Sequence, residues 1–212
     1  MTLHSERIIR GADCIEEGTH WLIMRDPRLA MARAETGPWP LRLRPGGFGA
    51  LLQAIVGQQV SVASARAIGG RLEAAGFTDA DAIRKAGDDA LRACGLSRPK
   101  LRYLRALSEA DIDFDALGDL PSGEVVDSLV ALPGIGRWTA EIYALFALGR
   151  ADVFPAGDLA LQEAARMLWC RTDRPTEAEL RAEAQRWSPW RGVAARGLWA
   201  WYAVAKGREG VG

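Results

Sequence analysis

One stretch, Leu132-Pro133-Gly134-Ile135-Gly136-Arg137-Trp138-Thr139-Ala140, constrains the fold of this chain more than any other. Two glycines flank a single apolar residue, Ile135, directly before a helical pattern. In that pattern Trp138, Ile142, Leu145 and Phe146 recur at the spacing of one buried helix face. Upstream, Val125, Val126, Leu129 and Val130 repeat in the same way behind Ser122, a candidate cap, so the glycines join two helices. Glycine adopts positive φ without steric cost and lets a foreign backbone approach, so the amides of residues 134–136 can point outward. Outward amides at a helix N-terminus make a ready phosphate site. Taken alone, such a turn also fits any ordinary helix–helix connection.

The flanking sequence has helical character. Phe48, Leu52, Ile55 and Val56 make a stripe that Leu51 widens. Periodicity breaks at Gly57-Gln58-Gln59-Val60-Ser61, where Ser61 can cap a second helix carried by Ala65, Ile68 and Leu72. On residue type alone, Gln58-Gln59 is a solvated junction. From Thr78 to Leu107 the pattern is helix, turn, helix. Asp88 is expected to cap a short helix through Leu91, Gly95 to end it, and Leu101, Leu104 and Leu107 to line the next. The Lys100, Arg102 and Arg105 side chains of that last helix are expected to face solvent.

Past Asp158, the residues Leu161, Ala165, Leu168 and Trp169 share a face, and Thr176 with Glu179 forms a capping box ahead of Leu180, Ala184 and Trp187. Ser188-Pro189 is expected to start the final helix, with Trp190, Ala194, Leu198 and Trp201 as its stripe and Trp199 and Tyr202 off it. Residues 1–47 are the least patterned. Ile15 to Leu29 fits a helix with Trp21, Leu22 and Met24 near its buried side, Asp26-Pro27 starts a new turn, and Leu41-Arg42-Leu43-Arg44 alternates over too few residues for a strand. With no convincing strand and no long repeat, the expected class is all-α.

At 212 residues the chain can bury one substantial core, as one domain or two tightly joined lobes. No apolar run reaches bilayer length and the polar start lacks a signal-peptide core, so a cytoplasmic protein without membrane attachment is expected. Cys14, Cys94 and Cys170 are too scattered for a zinc or disulfide framework, and each is expected as a small buried residue. Net charge is zero, which counts against a nucleic-acid binder until its distribution is considered. Glu109, Asp111, Asp113, Asp115, Asp119, Glu124 and Asp127 form a run with no Lys or Arg among them, leaving basic residues in surplus elsewhere. A neutral total can therefore hold an acidic face and a basic one.

A second motif follows the hairpin: Ala151-Asp152-Val153-Phe154-Pro155-Ala156-Gly157-Asp158. Together the two resemble the helix-hairpin-helix DNA glycosylase superfamily, whose members carry this hairpin and then a Gly/Pro-rich loop ending in a catalytic Asp. Within it the chain is most similar to the 3-methyladenine DNA glycosylase II branch, over roughly residues 48–202. It looks like a short form without the N-terminal β domain of larger members. The resemblance implies a helix-hairpin-helix glycosylase fold with a single domain over 1–212, made of a hairpin lobe at about 48–150 and a second lobe from 1–47 plus 151–212, the active-site cleft lying between them.

The resemblance also assigns residues. It implies Asp158 as the catalytic group, Trp138 and Trp199 as aromatic walls of a base pocket, and Gly134, Ile135, Gly136, Arg137 and Thr139 as DNA contacts. By match to the family segment Gly-Gln-Gln-Val-Ser, Gln59 would be the wedge that fills the space left by a flipped base. Some relatives carry Leu at that position, and an aromatic where this chain has Ile142. No cofactor is required; by position, the carbonyls of Val130, Leu132 and Ile135 would hold Na+ or K+. The implied partner is damaged double-stranded DNA, met by a monomer associated with the nucleoid.

Breaking an N-glycosidic bond leaves positive charge on the deoxyribose, which a pre-oriented carboxylate stabilises. By residue type alone, Asp158 before Leu159-Ala160-Leu161 caps a helix; the two roles are compatible, because capping fixes the direction of the carboxylate. Asp152 is expected to make a structural hydrogen bond and Glu163 to face solvent. Most glycoside hydrolases need a second carboxyl group as acid, but a purine alkylated at N3 or N7 is already cationic and leaves unprotonated. In bifunctional members a Lys at the point occupied here by Trp138 forms a Schiff base and cuts the strand. Indole cannot do this, and the guanidinium of Arg137 is no nucleophile. The four-cysteine cluster of the iron–sulfur members is missing as well.

The expectation is a monofunctional base excision repair hydrolase that flips out alkylated purines of the 3-methyladenine and 7-methylguanine type and leaves an abasic site, without AP lyase activity. Two alternatives stay open: a glycosylase for deaminated or other damaged bases, and a non-catalytic helix-hairpin-helix DNA-binding module. A small-molecule glycosidase lacks paired carboxylates. Of the eight tryptophans, Trp169, Trp187 and Trp201 sit on apolar stripes and are expected in the core, and Tyr143 is expected to pack rather than line the pocket.

Overall fold

The structure, a computed structural model, describes residues 6–110 and 112–207. The chain start and Asp111, both used in the sequence reading, lie outside the described residues. Two compact units are present, one formed by residues 1–43 with 144–212 and the other by 44–143. Among the described residues every regular element is helical, apart from an isolated bridge between Ile8 and Arg150. Among the described residues, no helix is long and apolar enough to cross a membrane.

The chain opens with α1 (Ala12–Ile23) and α2 (Pro27–Thr36). The single helix expected from Ile15 to Leu29 is thus two, because Asp26-Pro27 does more than turn the chain. Asp26 caps α2 by accepting the Arg28 amide, and Pro27 occupies the first turn, where a missing N–H costs nothing. Next come α3 (Gly47–Gly57) and α4 (Val62–Ala74), with Ser61 capping α4 through the Ser64 amide at 3.1 Å. Two short helices follow, α5 (Ala80–Lys85), capped by Asp79, and α6 (Asp88–Ala93). Asp88 does not cap α6; Gly87 holds that position, and the Asp88 carboxylate instead pairs with Arg105.

Then α7 (Arg98–Glu109) packs against α3, α5 and α6 and buries Leu101, Leu104 and Leu107. The hairpin is α8 (Ser122–Val130) and α9 (Arg137–Phe146). Ser122 is the first helical residue of α8 rather than its cap; Pro121 stands at the cap with no side-chain bond. Glu109, Asp113, Asp115, Asp119, Glu124 and Asp127 are all exposed, so the acidic run is a solvated face in its described part.

The last three helices are α10 (Leu159–Leu168), α11 (Glu177–Glu183) and α12 (Arg191–Ala205). The capping box of α11 forms, with Thr176 and Glu179 satisfying each other's backbone amides. Ser188-Pro189 does not start α12. That bond is cis, Trp190 is the N-cap residue, and the Ser188 hydroxyl donates to Asp152 at 2.7 Å. α12 packs on α1, α2 and α10, burying Val193, Ala194, Leu198 and Trp201. Around it gathers an apolar core from Ile15, Leu22, Leu29, Leu161, Leu168, Leu180 and Trp187.

Candidate active site

Asp158 ends the loop after α9 and caps α10. Its Oδ1 accepts hydrogen bonds from the backbone amides of Ala160 at 2.9 Å and Leu161 at 3.0 Å, and from the indole N–H of Trp199 at 3.1 Å. The capping role read from the sequence is therefore present. Three donors on one oxygen, two belonging to a rigid helix start, set the carboxylate's direction before any ligand arrives. Trp199 reaches Asp158 from the half-buried side of α12, and its ring lies 5.7 Å from that of Phe146. The resemblance made Trp199 a pocket wall; the fold adds a hydrogen bond to the candidate catalytic carboxylate.

Behind Phe146 sits a cation. Arg196 is 0% exposed, with its guanidinium carbon 4.9 Å from the Phe146 ring centre. It donates to the carbonyls of Leu41 at 3.1 Å, Gly192 at 2.8 Å and Leu145 at 3.2 Å. Burial pushes its pKa down to about 9, with the charge of Arg42 adding to the shift, and the group is still cationic at neutral pH. Three carbonyls bonded to one charge tie the end of α9 and the chain after α2 to α12. No pattern in the sequence singled it out.

Asp152 and Glu163, the acids on either side of Asp158 in the sequence, are occupied structurally. Asp152 takes both Nε and a terminal nitrogen of Arg191, at 2.8 and 2.9 Å, besides Ser188. Glu163 is held below its ordinary carboxylate value by a hydrogen bond from Arg166. Trp187 and Trp201 lie in the core as expected, donating to Asp26 and Glu35. Trp169 is only half-buried, with the guanidiniums of Arg28 and Arg171 at 4.6 and 4.8 Å from its ring. Cys170 is exposed, against the expectation for it; Cys94 is buried and Cys14 intermediate.

In the unit of residues 44–143, the hairpin turn has the form its glycines predict. The Ile135 amide closes the turn on the Leu132 carbonyl at 3.1 Å, and the Ile135 side chain is buried. Among the described residues no acceptor meets the amides of Gly134 and Gly136. Gly134 has φ +87°, and a Cβ there would fall 2.3 Å from the ring of Tyr103. Gly136 is exposed, and a Cβ on it would meet nothing within 4 Å. The first glycine is thus required by the fold, while the second leaves space beside the start of α9. The Ile135 amide is thus engaged within the turn itself.

Trp138, in the first turn of α9, is 47% exposed, unusual for an indole and consistent with a ligand-facing surface. Thr139 is half-buried; Arg137 is exposed and lies 3.9 Å from the carboxylates of Asp127 and Glu141. Tyr143 packs, as expected. It is buried, its hydroxyl accepts the Gly47 amide at 2.9 Å, and burial pushes its pKa up.

Gln59 lies exposed between α3 and α4 with φ +54°. Its neighbour Gln58, expected to be solvated, is half-buried and donates its side-chain amide to the Gly134 carbonyl at 2.7 Å. Lys100 was also expected in solvent. It is 8% exposed, with Nζ 2.7 Å from the Val56 carbonyl, and burial lowers its pKa. Arg105 likewise turns inward, capping the end of α5 through the Ile83 and Ala86 carbonyls, whereas Arg102 remains exposed. Long basic side chains at helix C-termini satisfy last-turn carbonyls, which explains both corrections.

An all-helical fold, a glycine hairpin and a helix-capping Asp beyond it are the features on which the chain resembles the helix-hairpin-helix DNA glycosylases. The family model described as "HhH-GPD superfamily base excision DNA repair protein" matches residues 52–189, and the chain belongs to that superfamily. The curated DNA-3-methyladenine glycosylase 1 of Schizosaccharomyces pombe is 32% identical over 158 residues, covering 70% of this chain and 69% of that protein. A crystal structure of DNA-3-methyladenine glycosidase from Bacillus halodurans superposes with a TM-score of 0.80 at 31% identity, covering 90% of this chain and 92% of that one. The S. pombe 3-methyladenine DNA glycosylase in complex with abasic DNA follows at 0.76 and 26% identity, over 90% and 97% of the two chains.

Proposed function

We propose that this protein is a monofunctional DNA glycosylase that excises alkylated purines from damaged duplex DNA and leaves an intact abasic strand. The observation that carries this reading is Asp158, a carboxylate aimed by two helix amides and the Trp199 indole in a chain of the HhH-GPD superfamily. The relatives named as 3-methyladenine glycosylases support the alkylated-base substrate class.

The steps follow from the residues. Amides of Gly134 and Gly136 take a phosphate of the strand. The nucleotide is flipped, at a cost of about a few kcal/mol that weak pairing of a damaged base reduces. Gln59 enters the vacated space. Exposed Trp138 offers an aromatic face to an electron-poor cationic purine, a contact worth on the order of 0.5–2 kcal/mol. As the glycosidic bond lengthens, Asp158 stabilises the positive sugar and water completes the hydrolysis. A monovalent cation on the carbonyls of Val130, Leu132 and Ile135 would anchor the turn; the Leu132 carbonyl already accepts the Ile135 amide there.

The absence of strand cleavage is part of the proposal. The lysine amines of the chain are those of Lys85, Lys100 and Lys206. Lys100 is buried against the Val56 carbonyl, and Lys206 stands at the C-terminal end of α12. Incubation with methylated duplex DNA should release 3-methyladenine and 7-methylguanine, and the strands should break only after hot alkali. Borohydride should trap no protein–DNA adduct. Release of deaminated bases alone would move the substrate class. DNA binding without base release would leave a binding module. An adduct lost on replacing one of the three lysines would overturn the hydrolytic mechanism.

A further inference from the structure

Gln59 is one of three described non-glycine residues at positive φ, a conformation that side-chain-bearing residues avoid unless their surroundings impose it. Its surroundings do so from both sides. Before it, Lys100 donates to the Val56 carbonyl at 2.7 Å, and the Gln58 backbone amide donates to the Ile55 carbonyl at 3.2 Å. After it, Ser61 caps α4. The remaining tie leaves the loop altogether: the Gln58 side-chain amide donates to the carbonyl of Gly134, 76 positions away at the turn of the hairpin.

We infer that Gln58 is a positioning residue, tying the Gln59 loop to the hairpin so that a hairpin seated on its phosphate delivers the Gln59 side chain at a set height into the duplex. The chemistry requires a hydrogen-bond donor. Gly134 presents an oxygen, so only a donor can meet it, and the half-buried Gln58 reaches it from the residue adjoining Gln59. With the tie cut, the hairpin still binds phosphate, but the wedge loop is free to relax from its left-handed conformation.

This inference rests on Gln59 being the wedge, and the experiment separates the two. Base release would be measured from duplex and from single-stranded methylated DNA for Gln58→Ala, the isosteric Gln58→Glu, Gln59→Ala and the Gln58→Ala/Gln59→Ala pair. Extrusion would be followed with 2-aminopurine beside the lesion, and undamaged-DNA affinity would be recorded for each. Both Gln58 variants should lower duplex excision about tenfold more than single-strand excision, with reduced 2-aminopurine signal and with undamaged-DNA affinity within about twofold of wild type. The double variant should be no worse than Gln59→Ala, because both changes disable one step.

A Gln59→Ala loss equal on both substrates would remove the wedge reading and this inference with it. A duplex-selective Gln59→Ala loss beside wild-type Gln58 variants would remove the tie alone. Multiplying losses in the double variant would do the same, as would matched losses on both substrates for the Gln58 variants. Because Gln58→Glu keeps the shape and removes the donor, wild-type extrusion by that variant is enough to overturn the inference.

Discussion

The surroundings of Asp158 and the turn of the hairpin solve opposite problems. Asp158 is held by its own unit, with helix amides and an indole on one oxygen, the indole ring beside Phe146 and Phe146 beside a buried cation. The hairpin turn is packed underneath by Ile135 and Tyr103 and presents Gly136 and Trp138 at its surface. A group that must meet charge developing in a transition state gains from being oriented in advance. A backbone that must meet a phosphate gains from having nothing in front of it. On the proposed function, the fold fixes a side chain at the first place and leaves backbone bare at Gly136 in the second.

The sharpest way to break that contrast is at Asp158. Asn is as good a helix cap as Asp, so Asp158→Asn should fold normally while single-turnover base release falls on the order of a hundredfold or more. A folded variant with wild-type turnover would reduce Asp158 to a cap.

The two glycines of the hairpin should then part company. Gly134→Ala combines positive φ with a clash on Tyr103 and should destabilise by roughly 2–5 kcal/mol in denaturant titration. Gly136→Ala, with open space around it, should leave stability unchanged and weaken damaged and undamaged DNA alike by about tenfold. Selective loss of lesion binding would assign Gly136 to the base pocket instead.

Trp199→Phe separates the ring from its hydrogen bond. Keeping the aromatic face and losing the indole donor to Asp158 should lower the rate of release by about tenfold, with KM little changed. A rise in KM at constant kcat would make Trp199 a base-stacking wall only.

The smallest effect concerns Asp26, in the same unit as Asp158. Burial alone would raise the Asp26 carboxyl, but hydrogen bonds from Arg28 and Trp187 outweigh it and hold the group below its ordinary 3.8. A carboxyl depressed in the folded state contributes stability above the unfolded value and loses it as pH falls through the folded one. The stability gap between wild type and Asp26→Asn should therefore be full at neutral pH and shrink below about pH 3.8, as read by denaturant midpoints. A gap independent of pH would mean that Asp26 acts through packing.

Much of this molecule was legible before any coordinates. The caps at Ser61 and Asp158, the box at Thr176 and the turn at Gly134–Gly136 are each written within a few adjacent residues. Buried stripes such as Leu101, Leu104 and Leu107 follow from helical periodicity. Boundaries were less legible where two local signals competed, as at Asp26-Pro27 and at Ser188-Pro189, beyond which Trp190 holds the N-cap position.

Sequence by itself determined, then, that the chain is helical, where its hairpin turns, and that a capping Asp follows it, because those signals act over one or two helical turns. Only the tertiary structure decided what the long polar side chains do. Lys100, Arg105, Gln58 and Arg196 all read as ordinary surface residues or carried no signal, and each is turned inward to donate to a carbonyl of a distant segment. A lysine has the same flexible stem whether its amine meets water or the end of another helix. The choice depends on which backbone oxygens packing leaves unsatisfied nearby, and no local pattern records that.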